Sequence, residues 1–137
     1  MGRIMGIDFG LKRIGIAITD PLKIFAQPLT TVFATDFPKW LSDYSKSEII
    51  DEFVVGMPSK LSGEDTDATQ PVRDFIDWLN SNYPAVPLAT IDERLSSHEA
   101  QNFINKSVVK RENRKDKKLV DTISATLILQ THLQRIS

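Results

Sequence analysis

Apolar residues in this chain come first in short runs and later at helical spacing. Ile4-Met5-Gly6-Ile7 and Ile14-Gly15-Ile16-Ala17-Ile18 are separated by the turn Gly10-Leu11-Lys12. Runs this short and this rich in β-branched residues predict strands over 3–9 and 13–19. Asp20-Pro21 closes the second, because a residue before proline is pushed out of the helical region. Residues 28–33 read as a third, edge-like strand, and 36–47 as a helix. Thr35 or Asp36 would cap that helix, with Pro38 tolerated in its first turn. Glu52-Phe53-Val54-Val55 is the centre of a fourth strand, ended by Gly56-Met57-Pro58 and followed by a polar loop from Ser59 to Asp65. Val72, Phe75, Ile76 and Leu79 recur at helical spacing and predict a helix over 67–81. A fifth strand is expected at 87–91. Ser96-Ser97-His98-Glu99 has capping-box spacing and predicts a helix to about 105. Val120, Ile123, Leu127 with Ala125 and Ile128 predict a long helix over 117–135. The order βββαβαβαα is an α/β architecture: a meander, then helix-linked strands, with helices packed on a mixed sheet.

Composition narrows the class without naming a function. At 137 residues the expectation is a single domain, 1–137, with a real core. Apolar content of 41% and charged content of 26% are those of a soluble globular protein. No run of about 18 apolar residues exists, so no membrane partner is expected. The N-terminus carries no signal-peptide core, and a cytoplasmic location is the default expectation. The absence of cysteine excludes disulfides, thiolate metal sites and cysteine nucleophiles. Net charge is −1, but it is unevenly spread. Residues 110–118 hold six basic and two acidic side chains, leaving an acidic remainder. Such a basic stripe either docks phosphates or is a solvated loop.

Candidate chemistry centres on three carboxylates. Asp8 lies near the end of the first strand, Glu93 follows the fifth, and Asp121 sits in what reads as the first turn of the last helix. Converging carboxylates repel one another unless they share a cation, so the set suggests Mg²⁺-dependent phosphodiester chemistry. Each has a plainer reading. Asp8 is also a good residue to begin a hairpin turn, with Gly10 allowing close backbone approach. Asp92-Glu93-Arg94 also suits a cap and surface ion-pair cluster; of the two carboxylates there, Glu93 is favoured for the site. Asp121 also suits the helix dipole, although its stripe with Ser124, Ala125 and Ile128 is otherwise small and apolar. Arg94 is suited to bidentate contact with a phosphate or with one of these carboxylates. Ser59, Lys60 and Thr66, beyond a strand end, are placed to touch a nucleic-acid backbone or simply to form a turn. His98 reads as a surface residue near a helix start or a phosphate contact, and His132 as a surface residue in a last helical turn. No HExxH, P-loop, GxSxG or GxGxxG motif is present.

Five segments together resemble a known family. Gly6-Ile7-Asp8-Phe9-Gly10, Arg13-Ile14-Gly15-Ile16-Ala17, Val55-Gly56-Met57-Pro58, Asp92-Glu93-Arg94-Leu95-Ser96-Ser97 and Val120-Asp121-x-x-Ser124-Ala125 occur in the order seen in the YqgF/RuvX family. The resemblance spans essentially the whole chain. It implies a ribonuclease H-like fold with a mixed five-stranded sheet. It also implies a nuclease that matures the 5′ end of pre-16S ribosomal RNA, or a Holliday-junction resolvase acting on branched DNA. The family's acidic positions fall on Asp8, Glu93 and Asp121, as ligands for one or two Mg²⁺ or Mn²⁺ ions. Related RuvC resolvases carry a further carboxylate one helical turn after the last Asp, where this chain has Ser124. Arg94, Lys117 and Lys118 would neutralise charge on the scissile phosphate. Lys110, Arg111, Arg114 and Lys115, with Lys117 and Lys118, would bind backbone phosphates with little sequence preference.

Two other classes compete. An actin-like ATPase also uses Asp-x-Gly before a hairpin, but needs two such domains around its nucleotide. A non-catalytic nucleic-acid or ribosome-assembly module would keep the fold without the metal. The expected partners are nucleic acid and a ribosomal precursor particle. The chain would be a monomer or a weak homodimer, with Phe25, Phe33, Phe37 and Trp40 as candidate exposed contacts.

Overall fold

Alternation along the first strand sorts its side chains onto two faces, and the rest of the fold is built on that division. The computed structural model describes residues 2–58, 69–92 and 117–136. Strand β1 (Arg3–Phe9) pairs antiparallel with β2 (Arg13–Thr19), which pairs antiparallel with β3 (Ala26–Phe33). On its other side β1 runs parallel to β4 (Ile50–Met57), and β4 parallel to β5 (Leu88–Asp92). The sheet order is β3-β2-β1-β4-β5. Three helices complete the described fold: α1 (Phe37–Ser47), entered through a 3-10 turn at Ala34–Asp36, α2 (Thr69–Asn82) and α3 (Lys117–Ile136). The expected mixed five-stranded α/β sheet is present. The helix expected at 96–105 lies outside the described residues. No helix among the described residues is long and apolar enough to cross a membrane.

One face is bulky and aromatic. Met5 and Ile7 of β1 join Ile14, Ile16, Phe53 and Val55 from neighbouring strands, and Phe37, Leu41, Val72, Phe75 and Leu79 from α1 and α2. Phe37 meets Phe75 edge-on, with ring centroids 5.4 Å apart, and Phe9 stacks on Phe75 at 4.6 Å. Burial on this scale is worth roughly 1.5–3 kcal/mol per large side chain. Phe37, expected as an exposed contact, is instead 1% exposed. It lies one turn before Leu41 on the buried stripe of α1, and Trp40 packs partly against the same core. Phe25 and Phe33 are exposed, as expected.

The other face is aliphatic, with glycine and alanine at its closest approach to the helix. Ile4, Ala17, Val54 and Ile91 meet Ala125, Ile128 and Leu129 of α3. Gly6 makes this possible, since a Cβ there would lie 2.7 Å from Leu129 Cβ and 2.9 Å from the Ala125 carbonyl oxygen. The helix therefore sits directly against the sheet backbone.

One capping expectation is corrected. Asp36 stands at the N-cap of α1 but makes no side-chain capping hydrogen bond, because its backbone is already helical after the 3-10 turn. Asp20 does more than end β2. Its carboxylate accepts N–H bonds from Leu22, Ile24 and Phe25, closing a loop in which Lys23 adopts φ 60°.

Candidate active site

Asp8 is the last residue of β1 that shares the α3 face. Ile4 packs on α3 and Gly6 lies beneath Ala125 and Leu129, so alternation turns Asp8 to the same side. Asp8 is a strand residue paired with Gly15, not the start of a turn; the turn follows at Gly10. A Cβ on Gly10 would lie 2.6 Å from the Arg13 carbonyl oxygen, so glycine permits the tight return into β2.

Gly15 brings the second carboxylate in. A Cβ at this position would overlap the Asp121 backbone carbonyl oxygen and lie 3.0 Å from Asp121 Cβ. The backbone of α3 thus rests on the residue that faces Asp8 across the β1–β2 ladder. Residues 108 positions apart then meet: Arg13 Nε donates to Asp121 Oδ2 at 2.9 Å. Both side chains are about three-quarters buried, at 22% and 23% exposure. Asp121 is the fifth residue of α3, so it lies beyond the first turn where it was expected. Its charge is balanced by Arg13 rather than by the helix end.

The start of α3 is also held to β3. Thr31 Oγ1 donates to the Lys118 carbonyl oxygen at 2.8 Å and shares a hydrogen bond with Thr122 Oγ1. Lys118 Nζ lies 4.9 Å from the centroid of the Phe33 ring. Lys118 is exposed and lies one helical turn before Asp121. Lys117 opens the helix.

On β5, Ile91 packs with the α3 core, so Asp92 is on the opposite face. Its register partner Met57 packs against the aromatic core. Asp92 therefore does not share the face of Asp8 and Asp121. Glu93 and Arg94, Ser59, Lys60 and Thr66, His98, and Lys110, Arg111, Arg114 and Lys115 lie outside the described residues.

His132 corrects its expectation. It is 6% exposed, with Nε2 3.1 Å from Glu52 Oε1 on β4. Its position seven residues after Ala125 puts it on the sheet-facing stripe of α3. Arg13 was not singled out from the sequence. Its signal was its place two residues before Gly15 on one strand face, but nothing local indicates a partner on the last helix.

Comparison with known proteins agrees with this architecture. The family model described as "RuvX: Holliday junction resolvase" matches residues 2–135. A relative from Amoebophilus asiaticus, named as a candidate pre-16S rRNA nuclease, is 42% identical over 97% of this chain and 94% of its own length. Relatives of the same name from Porphyromonas gingivalis and Christiangramia forsetii are 41% and 38% identical over 97% of this chain, and over 96% and 98% of theirs. Thermus thermophilus RuvC, solved with a Holliday-junction substrate, superposes with a TM-score of 0.57 at 12% identity, covering 100% of this chain and 97% of RuvC. That likeness identifies the fold as ribonuclease H-like. With the family model matched over residues 2–135 and relatives about 40% identical over nearly the full length, the chain belongs to the RuvX family.

Proposed function

We propose that this chain is a divalent-metal-dependent endonuclease that hydrolyses RNA phosphodiesters, processing the 5′ end of pre-16S ribosomal RNA in the cytoplasm. One observation carries the reading: α3 is seated on Gly15, so that Asp121 stands beside the strand residue facing Asp8. Family membership and the names of the relatives support the substrate class.

The donor set fits Mg²⁺ or Mn²⁺, which take hard oxygen ligands. Asp8 and Asp121 would hold one or two such ions, with Glu93 as the third carboxylate; the opposite-face position of Asp92 supports Glu93 over its neighbour. When bound, the ion supplies an activated water and neutralises charge on the leaving oxygen. This chain's own residues do the rest. Asp8 and Asp121 fix the position of the reacting centre on a rigid strand and helix. Lys118, with Lys117 and Arg94, offsets negative charge on the scissile phosphate. Ser59, Lys60 and the basic residues Lys110, Arg111, Arg114 and Lys115 hold the nucleic-acid backbone, giving salt-sensitive affinity. A ribosomal precursor particle is the expected context.

The family description favours one further reading, resolution of four-way DNA junctions. Paired symmetric cuts normally require a C₂ dimer, for which exposed Phe25 and Phe33 are the candidate contacts. The test is cleavage of a labelled pre-16S leader and a labelled four-way junction, with Mg²⁺ or Mn²⁺, by wild type and Asp8→Asn. Leader cleavage lost in the variant is the expected result. Symmetric junction cuts lost in the variant would transfer the assignment to a resolvase. Cleavage retained in rigorously purified Asp8→Asn would overturn the metal-site reading.

A further inference from the structure

We infer that Arg13 is a positioning residue for divalent-ion binding: it clamps the Asp121 carboxylate through Oδ2 and leaves Oδ1 presented to the ion. This rests on the reading of Asp121 as a metal ligand. The contact is a charge-assisted hydrogen bond of 2.9 Å between groups largely removed from solvent. Both ends of the clamp are fixed. Arg13 lies in β2, paired with Phe33, and the backbone of Asp121 is seated on Gly15. Lys118, one turn away, has its ammonium over the Phe33 ring. The Asp121 carboxylate would otherwise turn about two side-chain torsions, and an ion would have to order it on binding. Ordering it beforehand lowers that entropic cost. Groups that orient a metal ligand from behind typically change metal affinity or activity by about 10–100-fold when lost.

An opposing effect makes the inference testable. The guanidinium charge repels an incoming cation and remains at every working pH. If repulsion dominated, removing Arg13 would tighten ion binding; if orientation dominates, removal weakens it. The geometry favours orientation, because the arginine engages one carboxylate oxygen through Nε and not both through its fork.

The experiment is a Mn²⁺ titration of the full chain, followed by electron paramagnetic resonance, for wild type, Asp121→Asn, Arg13→Gln and Arg13→Lys. Asp121→Asn should lose the tight Mn²⁺ site. Arg13→Gln should raise the Mn²⁺ Kd by about 10–100-fold, and Arg13→Lys should recover part of it. The Mg²⁺ midpoint for cleavage should rise in parallel in Arg13→Gln, with the rate recovering at saturating Mg²⁺. A general folding defect would not be recovered by added ion, and a metal-free thermal melt close to wild type excludes one. Arg13→Gln binding Mn²⁺ as tightly as wild type, or more tightly, overturns the inference while leaving the ligand assignment standing. Asp121→Asn binding like wild type removes the ligand assignment itself, and the inference with it.

Discussion

The two faces of the sheet are packed by opposite means. The α1/α2 face is filled with large apolar side chains, among them Phe37, Phe53, Phe75 and Leu79. The α3 face has glycine and alanine where the other has phenylalanine, and the helix backbone touches the strands. The first face offers hydrophobic area and tolerates a polar group poorly. The second offers proximity, and it holds the Arg13–Asp121 ion pair and the His132–Glu52 and Thr31–Thr122 hydrogen bonds. Separating bulk from proximity lets one sheet be stable on one side and carry charge at the end of the other.

Phe53→Ala separates the two faces most strongly, because it leaves a cavity in the aromatic core. It should cost about 3–5 kcal/mol of stability in denaturant unfolding, while the folded fraction keeps its Mn²⁺ affinity. Gly15→Ala should do the reverse. Overpacking costs about 1–3 kcal/mol, yet the added methyl pushes α3 away from β2, so ion binding and cleavage should fall far more than stability does. Equal damage to Mn²⁺ binding from both variants would mean that the faces are not separable. His132→Ala tests the polar side away from the carboxylates. Loss of its buried hydrogen bond should cost about 1–3 kcal/mol, with the Mg²⁺ midpoint for cleavage unmoved.

The smallest effect concerns pH. The Lys23 ammonium, 2.6 Å from Asp51, and then the Gly2 N–H hold the Asp51 carboxyl below its usual value. A carboxyl depressed in the folded state stabilises the protein above its unfolded pKa, and that contribution is lost as pH falls through the folded value. Asp51→Asn should therefore slightly flatten the acid limb of a thermal-stability profile and leave the neutral region nearly unchanged. An unchanged acid limb would show that solvent screening cancels the pair.

Much of this was legible in the chain because the signals are local. The runs around Ile4 and Ile16 fix β1 and β2 to the residue, since alternation and the Gly10 turn are properties of neighbours. The extra residues of β3, from Ala26, were not, because Pro28 reads as a strand start and only pairing with β2 reveals the earlier entry. Phe37 and His132 read as exposed from the sequence, although each falls on a buried helical stripe. Their spacing from Leu41 and Ala125 was the signal, and proximity to a helix end obscured it. Arg13 was not legible at all, because an ion pair across 108 positions leaves no mark in either local sequence. Asp8 and Asp121 could be nominated as chemistry, but the seating of Asp121 on the register partner of Asp8 depends on a backbone contact at Gly15 that composition does not encode.

The long separation of Arg13 and Asp121 also has a consequence in time. The β1–β2–β3 meander joins near neighbours and can form early, because its loops are short. The α3 contacts close across most of the chain and must wait for its last segment to leave the ribosome, as synthesis proceeds from the N-terminus. Until α3 docks, Asp8 and Asp121 belong to separate pieces of chain. On the proposed reading, a growing copy would be held inert by its own folding order until α3 settles on the sheet.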